Sequence, residues 1–265
     1  MDILDASPRA FLYDTVAKSR HELAFFRHGY RMPQAFTGDD VIIVSQTILD
    51  ELKFNEDTGR YREFLRQFPR IIVIDERSII RYFYELYTPK QRAQNHYKNC
   101  TIRSFQTIQD LAHSLRQTEP GDIEKKAFDL YLTYFAEGKN KGEYSLLWLS
   151  VMLREIFPNL SITFIGLDRD LYHLVDNTYF RYHDLGSEIR SRHNVQILSD
   201  DSMLQALLRR GEPIDALVDA YRDENRKVLY KEISHGITAS TITESSFNNS
   251  LFLNELKQGR IEVIY

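Results

Sequence analysis

Four short runs of β-branched and other apolar residues constrain what this sequence can fold into more than any other feature. The runs, each bounded by polar residues and followed by a helical pattern, are Val41–Val44, Ile71–Ile74, Ser161–Ile165 and Val195–Leu198. Apolar runs without alternation are typical of strands that are buried on both faces, as in parallel sheets. Helices between such strands form right-handed crossovers and cover the sheet. The sequence therefore predicts an α/β fold with a central, mainly parallel sheet and helices on both faces.

Helices can be placed around this sheet from capping residues and apolar spacing. Ser45 is a favourable N-cap for a helix that follows the run Val41–Val44, and Asp122 is one for a later helix. The segment Tyr144–Phe157 is apolar around most of its circumference and is stopped by Pro158. We therefore expect this segment at the centre of the fold.

The chain has 265 residues, enough to bury a full core. The alternation of strand and helix patterns divides it into two parts. Residues 1–211 carry the strand–helix repeats, interrupted by a long connection at 88–121 whose amphipathic pattern predicts one helix. We interpret this connection as an insertion. Residues 212–265 show weaker patterns and form a predicted C-terminal extension, which ends on an edge strand at Ile261–Tyr265. Insertion and extension are expected to recognise a substrate or a partner.

Composition and charge restrict the classes of function. The single cysteine, Cys100, cannot form an internal disulfide, and no Cys/His group has zinc-ligand spacing. The first residues contain Asp2 and Asp5 and no basic segment before an apolar stretch, so no secretion signal is predicted. The most apolar stretch, Leu146–Leu153, is much shorter than the roughly 20 residues of a membrane span. These features predict a soluble, cytoplasmic protein, and a net charge of −4 disfavours binding nucleic acid over the whole surface.

Acidic residues follow the ends of the predicted strands, where the reactive crevice of an open parallel sheet lies. Asp5 follows a short opening run at Ile3–Leu4, and Asp168 and Asp170 follow the run Ser161–Ile165. Glu51 lies one to two turns into the helix after Val41–Val44, and Glu143 stands at the start of the central helix. Two carboxylates 4 Å apart repel by about 4 kcal/mol at an effective dielectric of about 20, so a cluster persists more easily around a cation. Mg²⁺ and Mn²⁺ prefer oxygen ligands and can activate water against a phosphodiester. The pattern therefore predicts a Mg²⁺ or Mn²⁺ site.

Each acid taken alone also has a structural explanation. Glu143 at a helix start is favoured by the helix dipole, and Asp168 is a good helix N-cap. Glu51 lies on the polar face of its helix, where a solvated side chain is the commoner outcome. Asp5 is the hardest to explain in this way, because an acid on a buried strand has little structural purpose. The prediction of a site therefore depends on the whole set of acids.

The same segments, in the same order, resemble those of PIN-domain nucleases over residues 1–210. The matching segments are Ile3-Leu4-Asp5-Ala6-Ser7, similar to the opening strand; Val41-Ile42-Ile43-Val44-Ser45 with Leu49-Asp50-Glu51-Leu52, similar to the second strand and its helix; Gly142-Glu143-Tyr144-Ser145-Leu146, similar to a Gly-Glu helix start; Ile165-Gly166-Leu167-Asp168-Arg169-Asp170-Leu171, similar to the end of the fourth strand; and Asn194-Val195-Gln196-Ile197-Leu198, similar to the last core strand. The resemblance implies a PIN-like three-layer fold.

The resemblance also implies a function and a site. The catalytic acids that it implies as metal ligands are Asp5, Glu51, Glu143 and Asp168, with Asp170 as an auxiliary ligand. The implied activity is that of an Mg²⁺- or Mn²⁺-dependent endoribonuclease that cleaves single-stranded or structured RNA. Water activated by the metal would attack phosphorus and leave a 5′-phosphate and a 3′-hydroxyl. A homodimer or a protein partner is also expected, through residues 212–265.

One departure from the family pattern leaves the function open. Gly166 stands where the family has Ser or Thr, which removes a hydroxyl that can hold the metal-bound water. A catalytically inactive PIN-like scaffold that binds RNA or a protein partner is therefore the alternative. A receiver-like regulatory domain could use Asp75 as phosphoacceptor, but Leu198 is followed by Ser199 and not by the lysine that such domains need. The sequence contains no glycine-rich phosphate loop and no G-x-S-x-G elbow.

Overall fold

The structure is a computed structural model that describes residues 9–13, 41–52, 58–66, 70–136, 140–166, 169–181, 194–222 and 224–265. Over these residues the protein is a mixed α/β structure, as the sequence predicts. The chain divides into two compact units. The first contains the described residues up to Phe164 together with Asp170–Gln196, and the second contains Ile165–Arg169 and Ile197–Tyr265. The second unit therefore begins earlier in the chain than residue 212, the start of the predicted extension.

Five strands form a sheet in the order β3-β2-β1-β4-β5. They are β1 (Arg9–Tyr13), β2 (Val41–Ser45), β3 (Ile71–Ile74), β4 (Ser161–Ile165) and β5 (Val195–Leu198). The four strands predicted from apolar runs are confirmed. The central strand, β1, is not among them, and the predicted opening run at Ile3–Leu4 lies outside the described residues.

The strands of this sheet run parallel where their pairing is defined. β1 is parallel to β2, and β2 is parallel to β3. The backbone N–H of Ile162 donates to the carbonyl of Asn194 (2.7 Å), and that of Gly166 donates to the carbonyl of Leu198 (3.2 Å). Because the residue numbers increase together along β4 and β5, these two strands also run in the same direction.

Helices follow the strands of this sheet along the chain. They are α1 (Gln46–Glu51), α2 (Thr58–Arg66), α3 (Ile80–Leu86), α4 (Lys90–Ser104), α5 (Gln109–Gln117), α6 (Ile123–Tyr134), α7 (Lys141–Ile156) and α8 (Arg169–Val175). A short 3₁₀ turn, Glu76–Ser78, follows β3, and α8 continues into a π-helical segment, Asp176–Arg181.

Helix α7 lies at the centre of the first unit, as its all-round apolar sequence predicts. Every residue from Ser145 to Leu153 is buried. The ring of Trp148 contacts those of Phe105 and Tyr131, with centroids 5.4 and 5.6 Å away. Such tilted and edge-on aromatic contacts add stability beyond the burial of area. The aromatic core around α7 therefore holds residues from three separate helical segments together.

The connection at 88–121 contains two helices, α4 and α5, so the prediction of a single helix is wrong. The chain leaves the helical conformation at Phe105 (φ −109°, ψ 17°) and is extended at Ile108 (φ −106°, ψ 91°). Both side chains are nevertheless buried. The apolar spacing continues across the break because it records burial and not the continuity of one helix. Through Phe105, this connection supplies part of the core.

The second unit contains a four-stranded antiparallel sheet and helices. Its elements are α9 (Asp200–Arg209), α10 (Asp215–Tyr221), β6 (Asn225–Ser234), β7 (Ile237–Thr238), β8 (Thr243–Asn248), α11 (Asn249–Lys257) and β9 (Ile261–Val263). Strand β6 is central, because Tyr230 pairs with Thr243 of β8 and also with Val263 of β9. The predicted edge strand at the C-terminal end of the sequence is confirmed as β9.

A buried ion pair lies in this second unit. The Nε of Arg222 is 3.1 Å from Oδ1 of Asp201, and both side chains are almost completely buried. The guanidinium also donates to the carbonyl of Phe247 (3.0 Å) and lies 4.2 Å from the ring centroid of Phe252. Burial raises the pKa of the Asp201 carboxyl, and the charges of Arg226 and Arg222 oppose that rise. The pair therefore ties α9 and β8 to the segment that precedes β6.

Among the described helices, none combines the length and the apolar composition that a membrane crossing requires.

Candidate acidic site

The helix that carries Glu51 begins directly at the end of β2. The hydroxyl of Ser45 caps α1 by accepting from the backbone N–H of Ile48 (3.1 Å), which confirms the predicted cap. Thr47, Ile48 and Leu49 are buried, so the helix is fixed against the core of the first unit. Glu51 is the last residue of α1 and is half-buried. The position of Glu51 is therefore set by a helix that the sheet and the core both hold.

Glycine at position 142 lets the Glu51 carboxylate approach the start of α7. A Cβ atom on Gly142 would lie 2.7 Å from Oε2 of Glu51 and 3.3 Å from Cγ1 of Ile48. Only a residue without a side chain permits this approach. The next residue along α7 is Glu143, which is half-buried in the first turn of the helix. The fold therefore brings two of the predicted acids to neighbouring positions.

A third carboxylate, that of Glu76, is completely buried beside the beginnings of both helices, with 0% of the residue exposed. Its Oε1 accepts from the backbone N–H of Thr47 in α1 (3.2 Å) and from the hydroxyl of Ser145 in α7 (2.6 Å). Among the described residues, its Oε2 has no hydrogen-bond partner. Glu76 was not among the acids that the sequence predicts, because nothing in the local pattern after β3 indicates that its side chain is buried.

Tyr131 of α6 responds to the charge of all three glutamates. Its hydroxyl donates to the carbonyl of Lys141 (2.7 Å), next to the start of α7. Burial raises the pKa of this phenol well above its ordinary value; a hydrogen bond from Thr47 opposes the rise, and the charges of Glu76, Glu51 and Glu143 add to it. The three carboxylates therefore produce a common negative potential at this end of the helices.

The remaining predicted acids do not complete a larger group among the described residues. Asp170 is exposed in the first turn of α8, and Asp5 and Asp168 lie outside the described residues. Within the part of the chain that the structure describes, no three His, Cys, Asp or Glu side chains are arranged to hold a metal ion. Mg²⁺ commonly binds through one or two carboxylates together with waters and substrate phosphates. Glu51 and Glu143 are therefore a suitable protein contribution to such a site.

The position of β1 makes Asp14 a further candidate, which was not among the acids predicted from the sequence. The order of the sheet reverses between β1 and β4, and in open α/β sheets ligands bind outside the carboxyl ends of the strands at such a reversal. β1 ends at Tyr13, and the next residue in the sequence is Asp14, which lies outside the described residues. The available signal was the apolar run Phe11-Leu12-Tyr13 directly before an acid, the same pattern that singled out Asp5.

Comparison with models of known protein families, with curated proteins and with solved structures gave no match to this chain.

Proposed function

We propose that this protein is an Mg²⁺- or Mn²⁺-dependent endoribonuclease with a PIN-like three-layer fold. The approach of the Glu51 carboxylate to Gly142, next to Glu143, is the observation that carries the proposal. Two acids 92 positions apart in the sequence become neighbours at the start of a buried helix. Carboxylates that are held close together repel, and a cation between them would offset the repulsion. The reversal of the strand order between β1 and β4 also supports the proposal, because ligands of open α/β sheets bind at such a reversal.

Glu51 and Glu143 would hold the divalent cation from the ends of two helices that the core fixes. When bound, the cation supplies activation of water and neutralises charge on the phosphodiester. The protein's own part is to hold the two carboxylates in place, and the resemblance to PIN domains would add Asp168 and Asp170 as further oxygen donors. Burial of α1 and α7 on their core sides fixes the backbone from which both glutamates extend, which favours a defined geometry of the pair.

Two aspartates, Asp14 and Asp5, are candidates for the metal ligand that follows the first strand. Because β1 ends one residue before Asp14, we assign the role of a metal ligand first to Asp14, with Asp5 as the alternative that the sequence pattern favours. Asp14→Asn and Asp5→Asn should each be tested for cleavage of a labelled RNA pool with Mn²⁺. The assignment predicts a large loss only for Asp14→Asn. A loss only for Asp5→Asn would reverse the assignment.

A PIN-like scaffold that binds RNA or a protein partner without cleaving is the second candidate function. Gly166 favours it: this residue is buried at the end of β4, its backbone N–H donates to Leu198, and it offers no hydroxyl where the family pattern has one. The two functions differ in what they require of the metal. A nuclease loses activity with the cation, whereas a scaffold retains its binding partner in the presence of a chelator.

The proposal is tested by neutralising each acid of the pair. Glu51→Gln and Glu143→Gln preserve size and remove the charge, and Glu85→Gln, which changes an exposed glutamate of α3, is the matched control. We expect the first two to reduce Mn²⁺-dependent RNA cleavage by roughly a hundredfold or more, because metal catalysis supplies several kcal/mol of transition-state stabilisation. The control should cleave at the wild-type rate. Folded pair variants that cleave as fast as the control would contradict the nuclease, and RNA binding by an inactive wild type would favour the scaffold.

A further inference from the structure

Glu76 occupies a position that its chemistry does not favour. A buried carboxylate loses the hydration that stabilises its charge, and an oxygen without a partner adds to that cost. Glu76 is 0% exposed and lies in the short 3₁₀ turn after β3, and one of its oxygens has no hydrogen-bond partner within the part of the chain that the structure describes. An apolar side chain of similar size would fill the same space at a lower cost in desolvation. The buried carboxylate therefore points to a role other than filling the core.

The two hydrogen bonds of Glu76 define that role. One comes from the backbone N–H of Thr47, the second residue of α1, which no carbonyl inside the helix can satisfy. The other comes from the hydroxyl of Ser145, in the first turns of α7. A single oxygen atom of Glu76 thus joins the start of the helix that ends at Glu51 to the start of the helix that carries Glu143. These contacts span 29 and 69 positions of sequence.

We propose that Glu76 is a positioning residue that fixes α1 against α7 and thereby sets the separation of the Glu51 and Glu143 carboxylates. Because its side chain is fully buried, Glu76 does not contact a substrate. It acts through the two helices that it joins. Its consequence for metal binding rests on the proposed function, whereas its effect on the two helices does not.

The distance between Gly142 and the Glu51 carboxylate shows how small a movement of α1 would matter. At the position of a Cβ on Gly142, Oε2 of Glu51 is only 2.7 Å away, so the carboxylate lies close against the backbone of α7. A small rotation of α1 would move the carboxylate of its last residue away from α7 or press it against the backbone. The hydrogen bonds that Glu76 accepts from Thr47 of α1 and from Ser145 of α7 oppose that rotation. Negative charge next to the N-terminus of α1 also interacts favourably with the helix dipole.

Hydrogen exchange at the two helices tests the positioning role directly. Glu76→Gln keeps an acceptor oxygen for Thr47 and Ser145, whereas Glu76→Met has a similar length and accepts no hydrogen bond. We expect Glu76→Met to increase exchange by about tenfold or more in residues 46–52 and 141–146, and Glu76→Gln to leave it near the wild-type rate. Ser145→Ala, which removes one of the two bonds, should give an intermediate increase and decides the matter if Glu76→Met does not fold. Unchanged exchange in folded Glu76→Met would overturn the proposal.

Mn²⁺ affinity, measured with the metal alone, tests the link to the acidic pair. Mutation of residues that orient metal ligands without binding the metal commonly lowers metal affinity by about ten- to a hundredfold. We expect a loss of Mn²⁺ affinity in this range for Glu76→Met. Glu76→Gln should stay within about threefold of wild type, and Glu85→Gln should match it. If exchange rises in Glu76→Met while Mn²⁺ affinity is unchanged, Glu76 does not position the metal site. If the wild type itself binds no Mn²⁺, the proposed function fails, and the exchange experiment still decides whether Glu76 joins the helices.

Discussion

Replacing Gly142 by alanine should reduce the proposed RNA cleavage and leave the stability of the protein nearly unchanged. The new Cβ would lie 2.7 Å from Oε2 of Glu51, and ordinary contact begins at 3.4 Å, so the carboxylate must move by about 0.7 Å. The end of a flexible glutamate side chain can make this movement at little cost. Ile48, whose Cγ1 would be 3.3 Å away, needs to yield only slightly. The main structural effect of the substitution is therefore a displacement of the Glu51 carboxylate.

The helix itself should gain from the same change. Alanine is favoured over glycine within a helix by roughly 0.5–1 kcal/mol, which offsets the crowding at Ile48. We therefore expect the free energy of unfolding of Gly142→Ala to stay within about 1 kcal/mol of wild type. A displacement on the order of 1 Å in a catalytic group can reduce rate by about a hundredfold. RNA cleavage with Mn²⁺ should accordingly fall by roughly ten- to a hundredfold.

Gly59→Ala is the matched control for this experiment. Gly59 is the second residue of α2, as Gly142 is of α7, and a Cβ at Gly59 would meet no atom of the described residues within 4 Å. Both variants should be compared by denaturant unfolding, by Mn²⁺ affinity and by cleavage of the same RNA pool. Wild-type cleavage and Mn²⁺ affinity in Gly142→Ala would refute the reasoning, because the position of the Glu51 carboxylate would then be irrelevant. An equal loss in Gly59→Ala would also refute it.

Three further changes test the packing and the electrostatics of the two units. Arg222→Met should cost about 3–5 kcal/mol in the free energy of unfolding, because it leaves the buried charge of Asp201 without its closest partner; urea unfolding measures this. Phe105→Ala should cost about 3–5 kcal/mol, since Phe105 is fully buried, and a normal stability would show that the connection at 88–121 is peripheral. Burial and a hydrogen bond to Glu155 raise the pKa of Tyr87 to about 12, so its stabilising contribution is present below about pH 10 and is lost as pH rises towards 12. Melting temperatures between pH 9 and 12 should therefore fall less steeply in Tyr87→Phe than in wild type, and parallel curves would contradict this.

Elements with a clear local pattern of apolar residues could be predicted from the sequence alone. Strands β2 to β5 were predicted within a residue of their bounds, because each is a short, largely apolar run between polar residues, although Ile72 and Val73 of β3 are exposed. The central helix α7 was predicted for the same reason, since it is apolar on every side. The cap at Ser45 is local chemistry and could be predicted from position alone. In each case the information lies within a few adjacent residues.

Other features were decided only by contacts between distant parts of the chain. The strand β1 has five residues that begin with arginine, and only its pairing with β2 identifies it as the centre of the sheet. Glu51 and Glu143 were predicted as members of one site, but their approach through Gly142 depends on how closely α1 packs against α7. The burial of Glu76 has no local signal at all. Its environment is made by two helices that begin far from it in sequence, and periodicity along the chain records which face is buried but not which side chains meet there.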